Sequence, residues 1–169
     1  MDLVVAASGT GYRARFGARD WRCAVGRGGI ARKTGEGDGI SPLGCWSLRR
    51  LLYRPDRFED LPVTALPRAP LDPQDGWCDA PDHGDYNRPV RLPFAGRHEV
   101  LWRDDALYDL IVVLGHNDDP VVPGAGSAIF LHVADPGYGP TEGCAALSRP
   151  DLLEFLSLAD RSTRLCFAG

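Results

Sequence analysis

One histidine and one cysteine lie close together in a segment whose composition suits thiol chemistry. His132 ends an apolar, β-branched stretch, and Cys144 follows the turn-rich run ADPGYGP. A strand, a loop and a returning segment can bring the two side chains together in space. An imidazole beside a thiol can take its proton, and the resulting ion pair keeps the sulfur as a nucleophilic thiolate. The pair therefore predicts nucleophilic cysteine catalysis.

The residue before the cysteine strengthens this interpretation, and two others remain open. Gly143 removes bulk beside the nucleophile, and the N–H groups of Gly143 and Cys144 could point at a developing oxyanion. Alternatively, Cys144 is a buried small residue and His132 a core histidine bonded to backbone. A third interpretation makes His116, His132 and Cys144 ligands of a catalytic zinc ion, although the closely spaced ligand pairs common in such sites are absent.

Four other residues are candidates for contacting a ligand. His116 and Asn117 follow an apolar stretch and are predicted at the mouth of a cleft, although an Asn/Asp-rich turn explains them equally well. Tyr86 and Arg88 could form a cleft wall, with the arginine pairing with a substrate carboxylate through its planar fork. A surface ion pair beside a packed tyrosine is the alternative for these two.

Short strands separated by turns must position these residues. The chain holds 20 Gly and 14 Pro in 169 residues, which favours many turns over a helix bundle. Strands are predicted over residues 3–7, 12–16, 21–25, 45–53, 108–114, 127–133 and 163–168. One helix is predicted after Ser148 as N-cap, with Asp151 completing a capping box and Pro150 in the first turn. We expect a mainly β fold, a small barrel or sandwich with one or two short helices, forming a single domain over 1–169.

A long segment of little periodicity interrupts the predicted strands. Residues 54–96 are rich in Pro, Asp and Gly, but they include Trp77, Tyr86 and Phe94. A disordered linker would lack such aromatic residues, so the segment is predicted to be ordered. Long ordered loops in compact domains are typically functional, and we expect this one to form a lid or binding wall.

Charge and composition argue against a nucleic-acid-binding protein and against a membrane-spanning protein. The net charge of −4 gives no bulk attraction to nucleic acid, and no apolar run is long enough to span a bilayer. Five widely spaced cysteines leave at least one thiol free. The start of the chain has neither the basic residues nor the apolar length of a signal peptide, so no export segment is expected in this sequence.

Two motifs together resemble the L,D-transpeptidase catalytic domain family, the YkuD-type domain. A strand ending in His132, a Pro/Gly loop, the run TEGC over 141–144 and a following helix look like the family's catalytic motif. The run GEGDGISPLG over 35–44 is similar to the family's Thr-Pro-x-Gly turn before a core strand. Both motifs occur in the family's order, and the resemblance covers most of the chain.

The resemblance implies a bacterial cell-envelope enzyme that joins peptidoglycan stem peptides and needs no cofactor. Cys144 would attack the donor peptide and form a thioester, which passes the acyl group to an acceptor amine. His132 would act as base and later as acid, and Gly143 and Cys144 would supply oxyanion amides. Thr141 matches the family's Ser/Thr, and the backbone carbonyl of Glu142 would orient the histidine. Thr141 and Glu142 are accordingly expected at the substrate. We expect stem peptides as partners, no nucleic acid, no membrane insertion and a monomer.

Departures from the family pattern point to one branch of it. Glu142 stands where the family commonly has a second histidine, Ala146 replaces a basic or amide residue, and the loop after His132 is short. These features resemble the compact single-domain enzymes of Alpha- and Betaproteobacteria, which are associated with crosslinks from L-alanine to meso-diaminopimelate. The alternatives are a cysteine hydrolase with the same thioester and a peptidoglycan-binding module that has lost activity. The substrate implies the periplasm or cell envelope, although no signal peptide is visible.

Overall fold

The structure is a computed structural model that describes all 169 residues, and it is mainly β with one helix, as predicted. The helix α1 spans Arg149–Leu158, and one 3-10 turn spans Pro55–Arg57. The strands are β1 (Asp2–Ser8), β2 (Gly11–Phe16), β3 (Arg19–Cys23), β4 (Ile30–Ala31), β5 (Ser41–Pro42), β6 (Gly44–Tyr53), β7 (Arg68–Pro70), β8 (Asp75–Cys78), β9 (Pro89–Arg91), β10 (His98–Val100), β11 (Leu110–Leu114), β12 (Phe130–Val133), β13 (Ala145–Leu147) and β14 (Arg164–Ala168).

The main sheet curls into a nearly closed barrel. Its strand order is β13-β12-β11-β6-β14-β1-β2-β3, with β7 also pairing with β6. The two ends of this order meet where Ala24, just after β3, exchanges two backbone hydrogen bonds of 2.9 Å with Ala146 of β13. Closure leaves few unpaired strand edges, and it holds β13 between two neighbours.

The helix packs against the core of the barrel. Its apolar side chains Leu152, Phe155 and Leu156 are fully buried. The Phe155 ring meets those of Phe16 and Trp21 edge to face, with centroids 5.3 and 6.3 Å away. Burying these side chains gives the short helix its stability, because a ten-residue helix is marginal in isolation.

The predicted cap of this helix forms in part. The Ser148 hydroxyl accepts a hydrogen bond of 3.3 Å from the Asp151 amide, and a proline occupies the first turn. The reciprocal bond of a capping box, from the Ser148 amide to the Asp151 carboxylate, is not formed. The helix therefore begins where the sequence indicates but with one side-chain cap instead of two.

The strand predicted over 127–133 is shorter than expected. Only Phe130–Val133 is extended, and Ala128 has φ of +52°, in the left-handed region that strand residues avoid. The amide of Ala128 is bound by the Asn87 side chain at 3.0 Å instead of by a neighbouring strand. Long-range contacts therefore override the β-branched, apolar pattern of this segment.

The segment predicted to be irregular and ordered forms most of a second, small sheet. This sheet has the order β10-β8-β9, and β8 supplies Trp77. The Trp77 ring packs edge to face on Phe130 of β12, with centroids 5.1 Å apart. The small sheet is thereby fixed against the barrel beside the strand that carries His132.

A disulfide bond joins two neighbouring strands of the barrel. Cys45 of β6 and Cys166 of β14 are directly opposite in register and are joined by a disulfide bond. Cys23, Cys78 and Cys144 are free thiols, and all three are buried. None of the helices has the length and apolar character required to cross a membrane.

Candidate active site

Two adjacent parallel strands place His132 and Cys144 on the same side of the sheet. His132 of β12 is opposite Ala146 of β13, and Leu131 is opposite Ala145. Cys144 directly precedes β13, so it lies beside Phe130, two residues from His132 along the strand. Both side chains line one cleft of about 690 Å³, which we call the main cleft.

Residues 141–144, which we call the cysteine segment, are packed against residues 26–40, which we call the glycine-rich loop. The Ser41 hydroxyl, fully buried, accepts a hydrogen bond of 2.9 Å from the Gly26 amide and donates one of 2.9 Å to the Gly143 carbonyl. Gly143 has φ of +132°, and a Cβ there would lie 2.9 Å from the Ile40 carbonyl oxygen. Only glycine fits this position, and Ser41 joins the loop to the cysteine segment.

A partly buried ion pair stabilises the glycine-rich loop itself. Lys33 Nζ lies 2.5 Å from Asp38 Oδ1 and 3.2 Å from the Ile40 carbonyl oxygen. Burial opposes the charge on Asp38, but the hydrogen bonds from Lys33 and from backbone amides hold the pKa of this carboxyl well below its usual range. The loop is therefore held rigidly where it meets Ser41.

Thr141 holds the other side of the cysteine segment. Its backbone bonds to Val25 and to Arg27, each at 2.9 Å. Its hydroxyl donates to the Cys144 carbonyl at 2.7 Å and accepts from the Gly143 amide at 3.1 Å. The Thr141 side chain is thus fully engaged within the loop, where it shapes the turn before the cysteine.

The thiol is buried at the base of the main cleft and is bonded to backbone. Cys144 Sγ donates to the Ala128 carbonyl at 3.2 Å and accepts from the Phe130 amide at 3.3 Å. Burial raises the pKa of the Cys144 thiol to about 12. The sulfur is therefore protonated at neutral pH.

The imidazole is held in one tautomer. His132 Nδ1 lies 2.8 Å from the carbonyl oxygen of Val133, which can only accept, so Nδ1 carries the proton and the lone pair is on Nε2. Burial lowers the pKa of His132 to about 4. The ring packs edge to face on Tyr108, with centroids 5.4 Å apart. His132 is therefore a neutral base with its free nitrogen fixed in direction.

Three expectations for these groups are corrected. The thiol and the ring are both neutral and share no hydrogen bond, so the predicted thiolate–imidazolium pair is not formed. The carbonyl that orients His132 belongs to Val133 and not to Glu142. The Gly143 amide is already bonded to Thr141, whereas the Cys144 amide has no partner within the chain and is the one available to an oxyanion.

Comparison with known proteins decides the family. The family model for YkuD, the L,D-transpeptidase catalytic domain, matches residues 6–165, nearly the whole chain. The chain belongs to the YkuD family. A search of curated proteins found no match. The two motifs that carried the resemblance are those that meet in the YkuD domain, since Ser41 of one is bonded to Gly143 of the other.

Glu142 occupies the rim of the main cleft in this YkuD domain. Its carboxylate forms an ion pair with Arg27, and its side chain is 79% exposed. The pair links the cysteine segment to the glycine-rich loop. Glu142 is thus at the mouth of the cleft, where a ligand would pass it.

His116 and Asn117 lie outside the lining of the main cleft. The His116 ring is buried against Trp46, with centroids 4.8 Å apart, and burial lowers its pKa to about 4. The Asn117 side chain bonds to backbone groups of Val122 and Gly126, so it closes its own turn. The ligand atoms of His116, His132 and Cys144 do not come together, which leaves the zinc interpretation without a site in this geometry.

Tyr86 and Arg88 also lie outside that lining. Tyr86 is buried, donates its hydroxyl to the Glu36 carboxylate and accepts from the Gly126 amide at 2.9 Å. It therefore positions Glu36, which does line the cleft. Arg88 is exposed and lines neither of the two main cavities of the YkuD domain.

The far wall of the main cleft consists of residues that sequence reasoning missed. The Tyr108 hydroxyl donates to Glu99 at 2.8 Å, and burial raises the pKa of that carboxyl. Counted over the whole lining, the cleft has five carboxylates and two guanidinium groups: Glu36, Asp79, Glu99, Asp135 and Glu142, with Arg97 and Arg103. Glu36 and Glu142 lie in the two motif runs, but the others come from separate parts of the chain with no shared motif, so no local signal marks them.

Proposed function

We propose that this YkuD domain is a transpeptidase that joins peptidoglycan stem peptides through a thioester on Cys144. The observation that carries the proposal is the joint position of the Cys144 thiol and the His132 imidazole at the base of the main cleft. The supporting contacts from Ser41 and Thr141 hold the cysteine backbone in one conformation. Such preorganisation is what a nucleophile needs for reproducible attack.

Acylation begins from the neutral pair. The thiol rotates away from the Ala128 carbonyl and gives its proton to His132 Nε2 as the sulfur attacks the donor peptide carbonyl. The free Cys144 amide donates to the oxyanion that forms. As the carbonyl re-forms, the peptide C–N bond breaks, and the imidazolium returns the proton to the leaving amine. A thioester and a free amine result.

Deacylation uses the same groups in reverse. An acceptor amine attacks the thioester carbonyl, and His132 takes its excess proton. The C–S bond then breaks, the new amide remains, and the sulfur recovers a proton from the imidazolium. Because Val133 holds Nδ1–H, the same Nε2 lone pair serves in both half-reactions.

The charge of the main cleft favours an amine over water as acceptor. Carboxylates outnumber guanidinium groups in its lining, and an ammonium-bearing acceptor is attracted by such a field. We propose the crosslink from L-alanine to meso-diaminopimelate as the product, on the basis of the short loop after His132 and of Glu142 and Ala146. A hydrolase with the same thioester is the second candidate, since a cleft of this volume also admits water.

We propose the cell envelope as the place of action. Proteins of this family act on peptidoglycan outside the cytoplasm, in agreement with the implied substrate. The disulfide between Cys45 and Cys166 supports the proposal, because disulfides form and persist mainly in oxidising compartments.

Incubation with purified muropeptides, followed by mass analysis of the products, tests the reaction. The wild-type protein should give dimers. The mass of each dimer should equal that of the trimmed donor plus that of the acceptor minus one water, because a new amide forms in place of the carboxyl that hydrolysis would leave. Cys144→Ala should give neither dimers nor trimmed monomers, and His132→Ala should be strongly slowed. Cys78→Ala, which removes another buried thiol outside the cleft, should retain the wild-type activity. Trimmed monomers without dimers would show the hydrolase instead.

A further inference from the structure

A second groove lies next to the main cleft. It has a volume of about 520 Å³ and is lined by parts of β2 and β3, the residues that follow β3, and the loop at Tyr138 and Pro140. Pro140 lines both the groove and the main cleft. A ligand that crosses the rim at Pro140 therefore reaches one cavity from the other.

The second groove has the opposite charge from the main cleft. Arg13, Arg22 and Arg27 line it, and no acidic residue does. Arg13 of β2 is directly opposite Arg22 of β3, an arrangement of like charges that destabilises a strand pair. The charge of the groove lining is therefore opposite in sign to the net charge of −4 of the whole chain.

Only one of these three arginines lacks a carboxylate. Arg13 Nε is paired with Asp20 at 2.8 Å, and Arg27 is paired with Glu142. The guanidinium of Arg22 lies instead over the Tyr138 ring, 4.3 Å from its centroid, with a long bond to the Gly137 carbonyl. Stacking on the ring orients the planar fork while leaving its charge unneutralised.

Two tyrosines line the second groove together with Arg22. Tyr138 has φ of +56°, a conformation that non-glycine residues rarely adopt, and its backbone is tied to Asp135 at 3.0 Å. Tyr12 also lines the groove, and its hydroxyl makes no hydrogen bond within the chain. The groove thus offers one guanidinium without a carboxylate partner and one hydroxyl without a hydrogen bond.

We propose that the second groove binds a carboxylate of the stem peptide whose reacting end lies in the main cleft. This inference rests on the proposed function, which supplies the peptide. Stem peptides carry both amines and carboxylates, so the acidic cleft takes the amine end and the basic groove takes a carboxylate. Arg22 binds the carboxylate through its fork, because it is the one arginine of the groove without a carboxylate partner.

Direct binding to an inactive protein tests the groove separately from the chemistry. Calorimetric titration of Cys144→Ala with a synthetic tetrapeptide stem gives the Kd without any turnover. Adding Arg22→Gln should raise the Kd about five- to tenfold at low salt, as expected for one exposed charge-assisted contact. The difference should shrink in high salt, where exposed charges are screened. Arg161→Gln, an exposed arginine that lines neither cavity, is the matched control and should leave the Kd unchanged.

The peptide itself supplies the second arm of the test. A stem peptide with its carboxylates converted to amides should bind weakly to Cys144→Ala, and Arg22→Gln should then make no further difference. The proposal is overturned if Arg22→Gln and Arg161→Gln behave alike, if the amidated peptide binds as well as the free acid, or if no peptide binds. Arg22-dependent binding without thioester formation in the wild type would contradict the proposed function and leave the groove as a carboxylate site.

Discussion

Removing one hydroxyl beneath the cysteine segment should weaken both the fold and the reaction. Ser41→Ala deletes the group that accepts from Gly26 and donates to Gly143, each at 2.9 Å, at a position with no solvent exposure. Water cannot replace the lost partner without displacing neighbouring backbone. The variant therefore leaves one buried N–H unpaired and weakens the hydrogen bonding of one buried carbonyl.

The magnitude follows from these two groups. An unpaired buried polar group costs about 1–3 kcal/mol, so Ser41→Ala should lower the free energy of unfolding by about 2–4 kcal/mol. Gly143 then loses one of its restraints, and the Cys144 backbone moves with it. A displacement of about 1 Å at a nucleophile can cost about 100-fold in rate, so acylation should slow by about 10- to 100-fold.

Urea unfolding and the rate of thioester formation measure the two effects of Ser41→Ala. Ser47→Ala, on exposed β6 backbone with no side-chain hydrogen bond, is the matched control and should change neither quantity. If Ser41→Ala matched this control in stability and in acylation rate, Ser41 would not be what joins the two motifs.

Three further predictions concern charge and the disulfide. Because the Cys144 thiol and the His132 imidazole are both neutral, the acylation rate should rise as the pH rises through about 4, the pKa of His132, and should not fall again near neutral pH. A preformed thiolate–imidazolium pair would give such a fall. The ultraviolet thiolate absorbance of the wild type at pH 7 should likewise match that of Cys144→Ala. His116 and His132 have a pKa of about 4 in the folded protein, against 6.5 in the unfolded chain. The unfolded chain therefore binds more protons between these two pH values, so the free energy of unfolding should fall by up to about 3 kcal/mol per histidine as the pH falls from 6.5 to 4. Urea unfolding of His116→Phe should show a smaller fall than that of His83→Gln, and equal falls would contradict the assignment. Reduction of the disulfide, which closes a loop across 121 residues of sequence, should lower the free energy of unfolding by about 3–5 kcal/mol. The free energy of unfolding of a Cys45→Ser, Cys166→Ser double variant should not change when a reductant is added.

The parts of the fold with local signals could be predicted from the sequence. Alternating or apolar β-branched runs marked the long strands, and Ser148 marked the start of the helix because capping depends only on neighbouring residues. The position of His132 beside Cys144 followed from a strand, a turn-rich loop and a return. The YkuD family assignment followed from two motifs and was confirmed by the family match.

The remainder depended on contacts between distant residues. The left-handed Ala128 is bound by Asn87, and the bond from Ser41 to Gly143 spans 102 positions. The protonation states of Cys144 and His132 depend on burial, which spacing in the sequence does not give. The carboxylates of the main cleft come from separate segments of the chain, so their common field exists only once the chain is folded.

The central claim is that Cys144 carries the acyl group, and the intact mass of the protein tests it most directly. After brief incubation with a tetrapeptide stem and acid quenching, the wild type and Cys78→Ala should each gain the mass of the donor acyl group. Proteolysis of the acylated protein should then place the added mass on the peptide containing residue 144. Cys144→Ala should gain none. An adduct on another residue, or product formation by Cys144→Ala, would contradict the account.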